Sequence, residues 1–270
     1  MKKFAVIGDP ISHSLSPIMH RWIFNELNIN ATYEKVHVKK NQLNKIINKM
    51  NEGILDGINV TLPHKTNIIS HVDEINSRAK LIGAINMVMK VDSKIIGNNT
   101  DWYGFMMAMK RNKISLVDDS IIILGFGGVA KSILFALKNY GIKKITILKR
   151  NMDEPLTMKD KLRLMPFDRA DEVIKNDSII INTTPVGMND DKSPLDKDMI
   201  NKKQILIDVI YTPLETTFLK YGKEVGALTV NGLDMFIEQG LASLDLWFGT
   251  SISKKVNFTQ LKAYLGSQLC

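Results

Sequence analysis

The sequence predicts an α/β protein with a largely parallel sheet, and three observations favour this fold class. Short apolar runs of strand length alternate with helical or loop segments, which is typical of parallel strands covered by helices. A glycine-rich turn stands between one such run and a helical pattern. The length of 270 residues suggests about two domains. The runs in the more regular second part are Ile121–Leu124, Lys144–Leu148, Ser178–Asn182, Ile205–Val209 and Ala227–Val230.

The first part of the chain predicts a smaller α/β block. Its expected strands are Phe4–Gly8, Thr32–Val38, Gly57–Thr61, Ile85–Val91 and Lys94–Gly97, the last two as a hairpin. Ser16-Pro17 predicts the start of a helix, with Ser16 at the N-cap and Pro17 at the first helical position. Thr100-Asp101 predicts the start of another helix. A further helix is predicted between these two, because apolar residues recur at helical spacing at Leu43, Ile46, Ile47 and Met50.

The end of the chain predicts a long amphipathic helix over Met235–Phe248 and a shorter helix around Leu261–Leu265. We expect no signal peptide and no membrane span, because no stretch approaches the roughly 20 apolar residues that a span needs. The one cysteine, Cys270, excludes a disulfide framework and favours a reducing, cytoplasmic location. We interpret Cys270 as part of a frayed terminus rather than as a reactive thiol.

The net charge of +8 comes from 36 basic and 28 acidic residues. The lysines are scattered and do not form a stripe with aromatic residues between them, so we expect no nucleic-acid partner. A generally basic surface, or attraction of anionic small molecules, explains the charge better. We predict no metal site, and both a monomer and a homodimer remain open.

The glycine turn is Gly125-Phe126-Gly127-Gly128-Val129-Ala130, which fits the pattern G-x-G-x-x-G/A. It follows a predicted strand and opens a predicted helix, and this is the context that dinucleotide binding requires. The first glycine makes a tight turn, the second lets the backbone approach a diphosphate, and Ala130 permits close packing of helix on sheet. The alternative is a structural turn in a sheet that binds no nucleotide.

The next predicted strand ends in Lys149-Arg150-Asn151, where dinucleotide-binding units often carry a carboxylate for the ribose 2′-hydroxyl. Two cations suit a 2′-phosphate, so the pair favours NADP over NAD. The alternative is a pair of solvated surface charges. Further polar residues follow other strands, where ligands of parallel sheets bind. They lie in Asn182-Thr183-Thr184-Pro185, Ile210-Tyr211 and Asn231-Gly232.

Hydroxyl, amide and amine side chains are dense at turns of the first block. They lie in Ser12-His13-Ser14-Leu15-Ser16-Pro17, Asn59-Val60-Thr61-Leu62-Pro63-His64-Lys65, Gly83-Ala84-Ile85-Asn86 and Asn98-Asn99-Thr100-Asp101. Together with the glycine turn, Asp208-Val209-Ile210-Tyr211-Thr212-Pro213 and the segment from Asn231 to Gln239, they resemble the shikimate dehydrogenase family over nearly the whole chain. Several of these segments in this order are specific to that family.

The resemblance implies reversible hydride transfer between shikimate and NADP, which reduces 3-dehydroshikimate in the route to chorismate and the aromatic amino acids. It implies that Lys65 and Asp101 form the catalytic pair. Ser14, Ser16 and Tyr211 would hold the substrate carboxylate. The implied ligands of the ring hydroxyls are Asn59, Thr61, Asn86, Asp101 and Gln239. The implied cofactor contacts are Gly125, Phe126, Gly127, Gly128, Val129, Lys149, Arg150, Thr183, Val209, Gly232 and Met235.

The same resemblance implies the domain organisation. Residues 1–104 would form an α/β substrate domain, residues 105–234 a Rossmann-like NADP-binding domain, and residues 235–270 helices that pack back on the substrate domain. The chain departs from the family pattern after Asn151, where Pro155 predicts a shortened helix. Two alternatives remain: a quinate/shikimate dehydrogenase that uses NAD, and a catalytically silent dinucleotide-binding module.

Overall fold

The structure is a computed structural model that describes residues 1–116, 120–150, 162–174 and 178–269. The shortened helix expected after Asn151 and the frayed terminus expected at Cys270 concern positions outside these ranges. The strands in order are β1 Lys2–Gly8, β2 Ala31–His37, β3 Gly57–Val60, β4 Glu74–Ile75, β5 Met87–Val91, β6 Lys94–Asn98, β7 Ser120–Leu124, β8 Ile145–Lys149, β9 Leu162–Pro166, β10 Ser178–Asn182, β11 Ile205–Asp208 and β12 Leu228–Val230.

The α-helices follow the amphipathic patterns of the sequence. They are α1 Ser16–Glu26, α2 Leu43–Asn51, α3 Ser77–Ile82, α4 Asp101–Arg111, α5 Gly128–Asn139, α6 Thr217–Val225, α7 Leu233–Phe248 and α8 Phe258–Ser267. The chain divides into two compact units. The first unit comprises Met1–Phe105 and Ile237–Cys270, and the second unit comprises Met106–Phe236. The chain therefore passes from one unit to the other within α4 and again within α7.

The first unit contains a mixed sheet with the strand order β2-β1-β3-β5-β6-β4. β1 is parallel to both β2 and β3, whereas β5 is antiparallel to β3 and β6. One face packs with α2 in a buried cluster that includes Ile7, Ile58 and Met50. On β1, Phe4 stacks on Trp247 of α7 with the ring centroids 4.5 Å apart. Burial on both faces explains the apolar run Phe4–Ile7 of β1 and the apolar residues Ile58 and Val60 on either side of Asn59 on β3.

The second unit contains a sheet in which every neighbouring pair of strands is parallel, in the order β12-β11-β10-β7-β8-β9. The strand order reverses between β7 and β10. In open parallel sheets, the carboxyl ends of the strands at such a reversal border the ligand crevice. α5 follows β7 directly and buries Ala130, Ile133 and Leu134 completely. The helix predicted after the glycine turn, with Ala130 packed closely on the sheet, is therefore confirmed.

Two details of the expected secondary structure are wrong. Ser16 is the first helical residue rather than the N-cap, because Leu15 occupies the N-cap with helical backbone angles. The Oγ of Ser14, rather than that of Ser16, accepts a backbone N–H at the start of the helix, namely that of Ser16 at 3.2 Å. Pro17 is therefore the second residue of the helix rather than the first. In addition, β4 and β9 were not expected. β4 has only two residues, and β9 is a partly exposed edge strand without a continuous apolar run.

Candidate active site

Lys65 and Asp101 form an ion pair in the first unit. The Nζ of Lys65 lies 2.7 Å from Oδ2 of Asp101, and the two side chains are only 12% and 5% exposed. Lys65 lies in the loop after β3, where its backbone carbonyl accepts the N–H of Ile85 at 2.7 Å. Asp101 is the first residue of α4. An ion pair this buried needs further hydrogen bonds to offset the desolvation of its charges.

Asn86 supplies one of those bonds. Its Nδ2 donates to Oδ1 of Asp101 at 2.8 Å and approaches Oε1 of Gln239 at 3.3 Å. Its Oδ1 accepts the backbone N–H of Thr100 at 2.7 Å. The carboxamide of Asn86 therefore lies between the carboxylate of α4 and the amide of α7. Four predicted site residues, including Lys65, meet in this cluster.

Asn59, on β3, has its carboxamide held from several sides. Oδ1 accepts the hydroxyl of Tyr33 at 2.7 Å, while Nδ2 donates to Oγ of Ser243 at 3.0 Å and to the carbonyl of Asn86 at 3.3 Å. Both N–H groups are thus used, and the second lone pair of Oδ1 is the polar position with no partner among the described residues. Asn59 is consequently poised to accept, rather than donate, a further hydrogen bond.

Tyr33 and Ser243 were missed in the sequence. Tyr33 is a buried residue of β2, a strand that also carries the exposed Glu34 and Lys35, and Ser243 is a fully buried residue of a mostly apolar helix. One signal was available for Ser243: it stands four residues after Gln239, and helical residues at this spacing share a face.

Ser14 and Ser16 lie together at the start of α1. Their Oγ atoms are 3.2 Å apart, and Ser16 is buried while Ser14 is half-buried. Thr61, directly after β3, is also half-buried. The Nδ1–H of His20 donates to the carbonyl of Ser16 at 2.7 Å. Burial lowers the pKa of His20 to about 4, against the smaller raising effect of the Ser16 bond, so His20 is neutral at physiological pH.

The glycine turn in the second unit has an open centre. Gly125 has φ +91°, and a Cβ there would lie 2.9 Å from Cγ2 of Thr184, so only glycine fits without strain. Gly127 is the N-cap of α5, and a Cβ on it would meet no heavy atom of the described residues within 4 Å. The backbone N–H groups at a helix start lack intrahelical partners. This cradle therefore fits the diphosphate of a dinucleotide.

Lysine ammonium groups flank the turn. Lys149, the last residue of β8, is only 4% exposed, and its Nζ lies 5.9 Å from the ring centroid of Phe126. Lys131, in the first turns of α5, lies 5.8 Å from the same centroid. Arg150 is exposed. Lys131 was missed, although a cation near a helix N-terminus opposes the helix dipole and was a usable signal.

A buried carboxylate organises the strand ends beside the turn. Asp208 ends β11 and accepts hydrogen bonds from Asn182, from the hydroxyl of Thr216 and from the N–H of Ile210. Burial raises the pKa of Asp208 to about 6, although these three bonds oppose the rise. Asn182 ends β10. Next to it, Thr183 donates its hydroxyl to the carbonyl of β7 residue Leu124 at 2.6 Å.

The remaining predicted site residues also lie in the second unit. A Cβ on Gly232 would lie 2.1 Å from the carbonyl oxygen of Val209, so this close approach of two backbone segments requires glycine. Tyr211 stacks on Phe236 with the ring centroids 4.3 Å apart. Met235 is buried on α7.

In the described part of the chain, no helix combines the length and apolar character needed to cross a bilayer. Among those same residues, no group of three or more His, Cys, Asp or Glu side chains is arranged to hold a metal ion.

Comparisons with known proteins agree with the geometry of both units. The family model described as the shikimate dehydrogenase substrate binding domain matches residues 6–88. A Staphylococcus haemolyticus protein named shikimate dehydrogenase (NADP(+)) is 38% identical over 261 residues, which cover 96% of each chain.

Two crystal structures are similar over most of the chain. Shikimate dehydrogenase 1 of Peptoclostridium difficile has a TM-score of 0.91 at 32% identity and covers 100% of this chain and 99% of its own. Shikimate 5-dehydrogenase of Thermus thermophilus, in complex with NADP(H) and shikimate, has a TM-score of 0.83 at 32% identity and covers 92% and 94%. The protein belongs to the shikimate dehydrogenase family.

Proposed function

We propose that the protein is an NADP-dependent shikimate dehydrogenase that reversibly reduces 3-dehydroshikimate to shikimate, in the route to chorismate and the aromatic amino acids. The observation that carries this proposal is the buried ion pair between Lys65 and Asp101, with Asn86 bound to the same carboxylate. A lysine amine beside hydroxyl and amide side chains supports proton transfer to or from a polyhydroxylated ring. The names of the matched relatives support the same activity.

Lys65 moves the proton in this mechanism. Oxidising the alcohol requires a base that accepts the hydroxyl proton as hydride leaves carbon, and the neutral amine of Lys65 is that base. In the reducing direction, protonated Lys65 donates to the oxygen as the alkoxide forms. Asp101 holds Nζ in place at 2.7 Å and presents its carboxylate to the same substrate hydroxyl. The bound cofactor would supply the hydride acceptor or donor.

We assign the substrate contacts by chemical type. Ser14 and Ser16, with Tyr211, donate hydroxyl hydrogen bonds to the substrate carboxylate. The ring hydroxyls are held by Asn59, Thr61, Asn86, Asp101 and Gln239. For Asn59, the second lone pair of Oδ1 makes it an acceptor for a ring hydroxyl. Apart from Tyr211, these residues belong to a substrate domain of residues 1–104, to which residues 235–270 return.

NADP is held by the second unit in this proposal, by residues 105–234 together with Met235, which follows them directly. The cradle of Gly125, Phe126, Gly127, Gly128 and Val129 would bind the diphosphate. The cations Lys149 and Arg150, with Lys131 near them, suit the 2′-phosphate, and β8 contains no carboxylate for a free ribose 2′-hydroxyl. The nicotinamide side would be lined by Thr183, Val209, Gly232 and Met235.

The alternatives differ in what they require of these residues. An NAD-dependent quinate/shikimate dehydrogenase favours a carboxylate near position 149, where this chain has lysine. A silent binding module has no use for a buried ion pair of a lysine and an aspartate. We also propose a cytoplasmic location, which the single cysteine favours, and a monomer or homodimer, which size-exclusion chromatography with light scattering distinguishes.

The test is initial-rate absorbance at the reduced-nicotinamide band with shikimate and quinate, each paired with NADP and NAD. We expect the highest kcat/KM for shikimate with NADP. Faster turnover of quinate with NAD would favour the NAD-dependent quinate/shikimate dehydrogenase instead. Absence of turnover with all four pairs, in protein that binds NADP by calorimetry, would favour the silent module.

A further inference from the structure

Ser243 lies on α7, is fully buried, and touches three elements of the first unit. Its hydroxyl donates to the carbonyl of Gln239, one turn earlier in the helix, at 2.9 Å. It accepts Nδ2–H of Asn59 on β3 at 3.0 Å. It also lies 3.2 Å from the hydroxyl of Thr100, the residue before Asp101. One hydroxyl therefore joins the helix, the strand and the start of α4.

The direction of these bonds follows from the capacity of a hydroxyl. A serine has one proton and two lone pairs. The proton of Ser243 goes to the carbonyl of Gln239, because that carbonyl only accepts. The bond with Asn59 is then donated to Ser243, and so is the bond with Thr100, whose single proton has Oδ1 of Asn86 at 3.3 Å as its other acceptor. The hydroxyl is fully used, and the Thr100 oxygen can accept Nδ2–H of Asn86 at 3.0 Å.

This arrangement holds the amide of Asn59 in one orientation. Its two N–H groups go to Ser243 and to the carbonyl of Asn86, so the amide cannot rotate by half a turn, and Oδ1 accepts the hydroxyl of Tyr33 with one lone pair left over. The amide of Asn86 is oriented by the backbone N–H of Thr100 and by the carboxylate of Asp101, and Ser243 supports it through the hydroxyl of Thr100.

We propose that Ser243 is a positioning residue for substrate recognition: its hydroxyl helps to orient Asn59 directly and supports Asn86 through Thr100, without touching the substrate. The proposal rests on the proposed function, because it concerns the binding of shikimate. It separates Ser243 from the other buried residues of α7, such as Leu244, which contribute apolar packing.

The test compares Ser243→Ala with the wild-type enzyme in steady-state kinetics and in calorimetric titration with shikimate. Loss of the hydroxyl leaves one buried N–H of Asn59 without its acceptor, whereas the hydroxyl of Thr100 can still donate to Oδ1 of Asn86 at 3.3 Å. We expect KM and Kd for shikimate to rise about tenfold, the equivalent of about 1.4 kcal/mol. KM and Kd for NADP should stay within about twofold, because the change affects one ligand only. Ser243→Cys, which keeps a weak acceptor at this position, should show a smaller rise and serves if Ser243→Ala fails to fold.

Ser253→Ala is the matched control. Its hydroxyl donates to Oδ2 of Asp245 on the same helix at 2.5 Å, outside the amide network. We expect both KM values of this control to be unchanged. Equal shikimate KM for the wild type and both Ser243 variants would overturn the proposal, as would equal losses for shikimate and NADP. A wild-type protein that neither turns over nor binds shikimate would instead overturn the proposed function, and this inference with it.

Discussion

The two units present their candidate sites in opposite ways. In the first unit, Lys65, Asp101, Asn86 and Asn59 are held by a dense set of side-chain hydrogen bonds, which orient their side chains. In the second unit, the centre of the candidate site is backbone: a glycine turn whose N-cap, Gly127, has open space where a side chain would be. One site is an arrangement of oriented side chains, and the other is an accessible helix terminus flanked by cations.

The difference suggests two kinds of recognition. A ring with several similar hydroxyls is distinguished only if each donor and acceptor already points in one direction, which requires side chains fixed by neighbours. A diphosphate carries charge and many equivalent oxygens, so exposed backbone N–H groups and nearby cations suffice. Substitutions in the first unit should therefore affect catalysis and shikimate binding, and those in the glycine turn should affect NADP binding.

The largest effect is expected for Lys65→Ala. Without the amine, no group is placed at the carboxylate of Asp101 to exchange a proton with the substrate hydroxyl, and general acid–base catalysis is worth about 10²- to 10⁴-fold in rate. We expect kcat to fall about 10³-fold in the absorbance assay, with Kd for NADP unchanged by calorimetry. Lys80→Ala, at an exposed position of α3, is the control that should keep wild-type kcat. Comparable kcat in Lys65→Ala and the wild type would exclude Lys65 as the proton-transfer group.

The candidate cofactor site of the second unit could be predicted from the sequence, because its elements follow one another along the chain. The strand β7, the turn, α5 and β8 are contiguous, and each step has a direct sequence signature: a buried apolar run, the glycine pattern and a helical stripe. The family that these residues resemble is confirmed by relatives over most of the chain. The roles of individual site residues stay predictions.

The support of the site in the first unit could not be predicted from local patterns. Asn59 and Ser243 are 184 positions apart, and only the tertiary fold brings them within 3.0 Å. No sequence pattern marks Tyr33, a buried residue of the mostly polar strand β2, as a site residue, and for Ser243 the one signal is its spacing of four residues after Gln239. The N-cap was misplaced at Ser16 for a related reason: Ser14 and Ser16 both fit the cap pattern, and the hydrogen-bond geometry decides between them.

The units also differ in how their buried titratable groups respond to pH. His20 in the first unit has its pKa lowered from 6.5 to about 4, chiefly by burial. The folded state therefore takes up this proton less readily than the unfolded chain. Its contribution to stability is complete above pH 6.5 and is lost as the pH falls toward about 4, by on the order of 3 kcal/mol.

Urea unfolding of the wild type and of His20→Phe, from about pH 7.5 down to about pH 4.5, measures this loss. The phenylalanine ring retains a surface that can stack on Tyr33, as the imidazole does at 3.9 Å, but it does not titrate. We expect the free energy of unfolding to fall more steeply for the wild type on acidification. Parallel pH curves for the two proteins would show that His20 does not titrate differently on folding.

Asp208 in the second unit should respond in the opposite direction. Burial raises its pKa from 3.8 to about 6, so the folded state binds this proton more readily than the unfolded chain does. Its stability contribution is greatest below pH 3.8 and declines as the pH rises through about 6. Between about pH 4.5 and pH 7.5 the decline should be on the order of 2 kcal/mol.

Asp208→Asn tests this second pH response by the same urea titration. The variant loses acceptor capacity toward Asn182, Thr216 and Ile210 and should be less stable than the wild type, but its stability should lack the decline between acidic and neutral pH. The difference between the two proteins should therefore narrow as the pH rises. A constant difference would contradict the raised pKa of Asp208.

The smallest effect, and the most selective, is expected for Gly127→Ala. The backbone angles of Gly127, φ −84° and ψ −171°, are ordinary for alanine, and the new methyl group would contact no described atom within 4 Å. The thermal midpoint of unfolding should therefore be unchanged. The methyl group would, however, occupy the space through which a diphosphate reaches the first N–H groups of α5, so Kd for NADP should rise about tenfold, or about 1.4 kcal/mol.

Gly125→Ala separates these two consequences of adding a methyl group to the turn. At φ +91°, with Cγ2 of Thr184 only 2.9 Å from the added Cβ, it should lower the free energy of unfolding by about 1–3 kcal/mol. For Gly127→Ala, Kd for shikimate, measured by calorimetry, should stay at the wild-type value, because the substituted position lies in the second unit's turn. Unchanged NADP binding in Gly127→Ala would mean that the open side of the turn is not where the diphosphate binds, and the contrast between the two units would lose its basis.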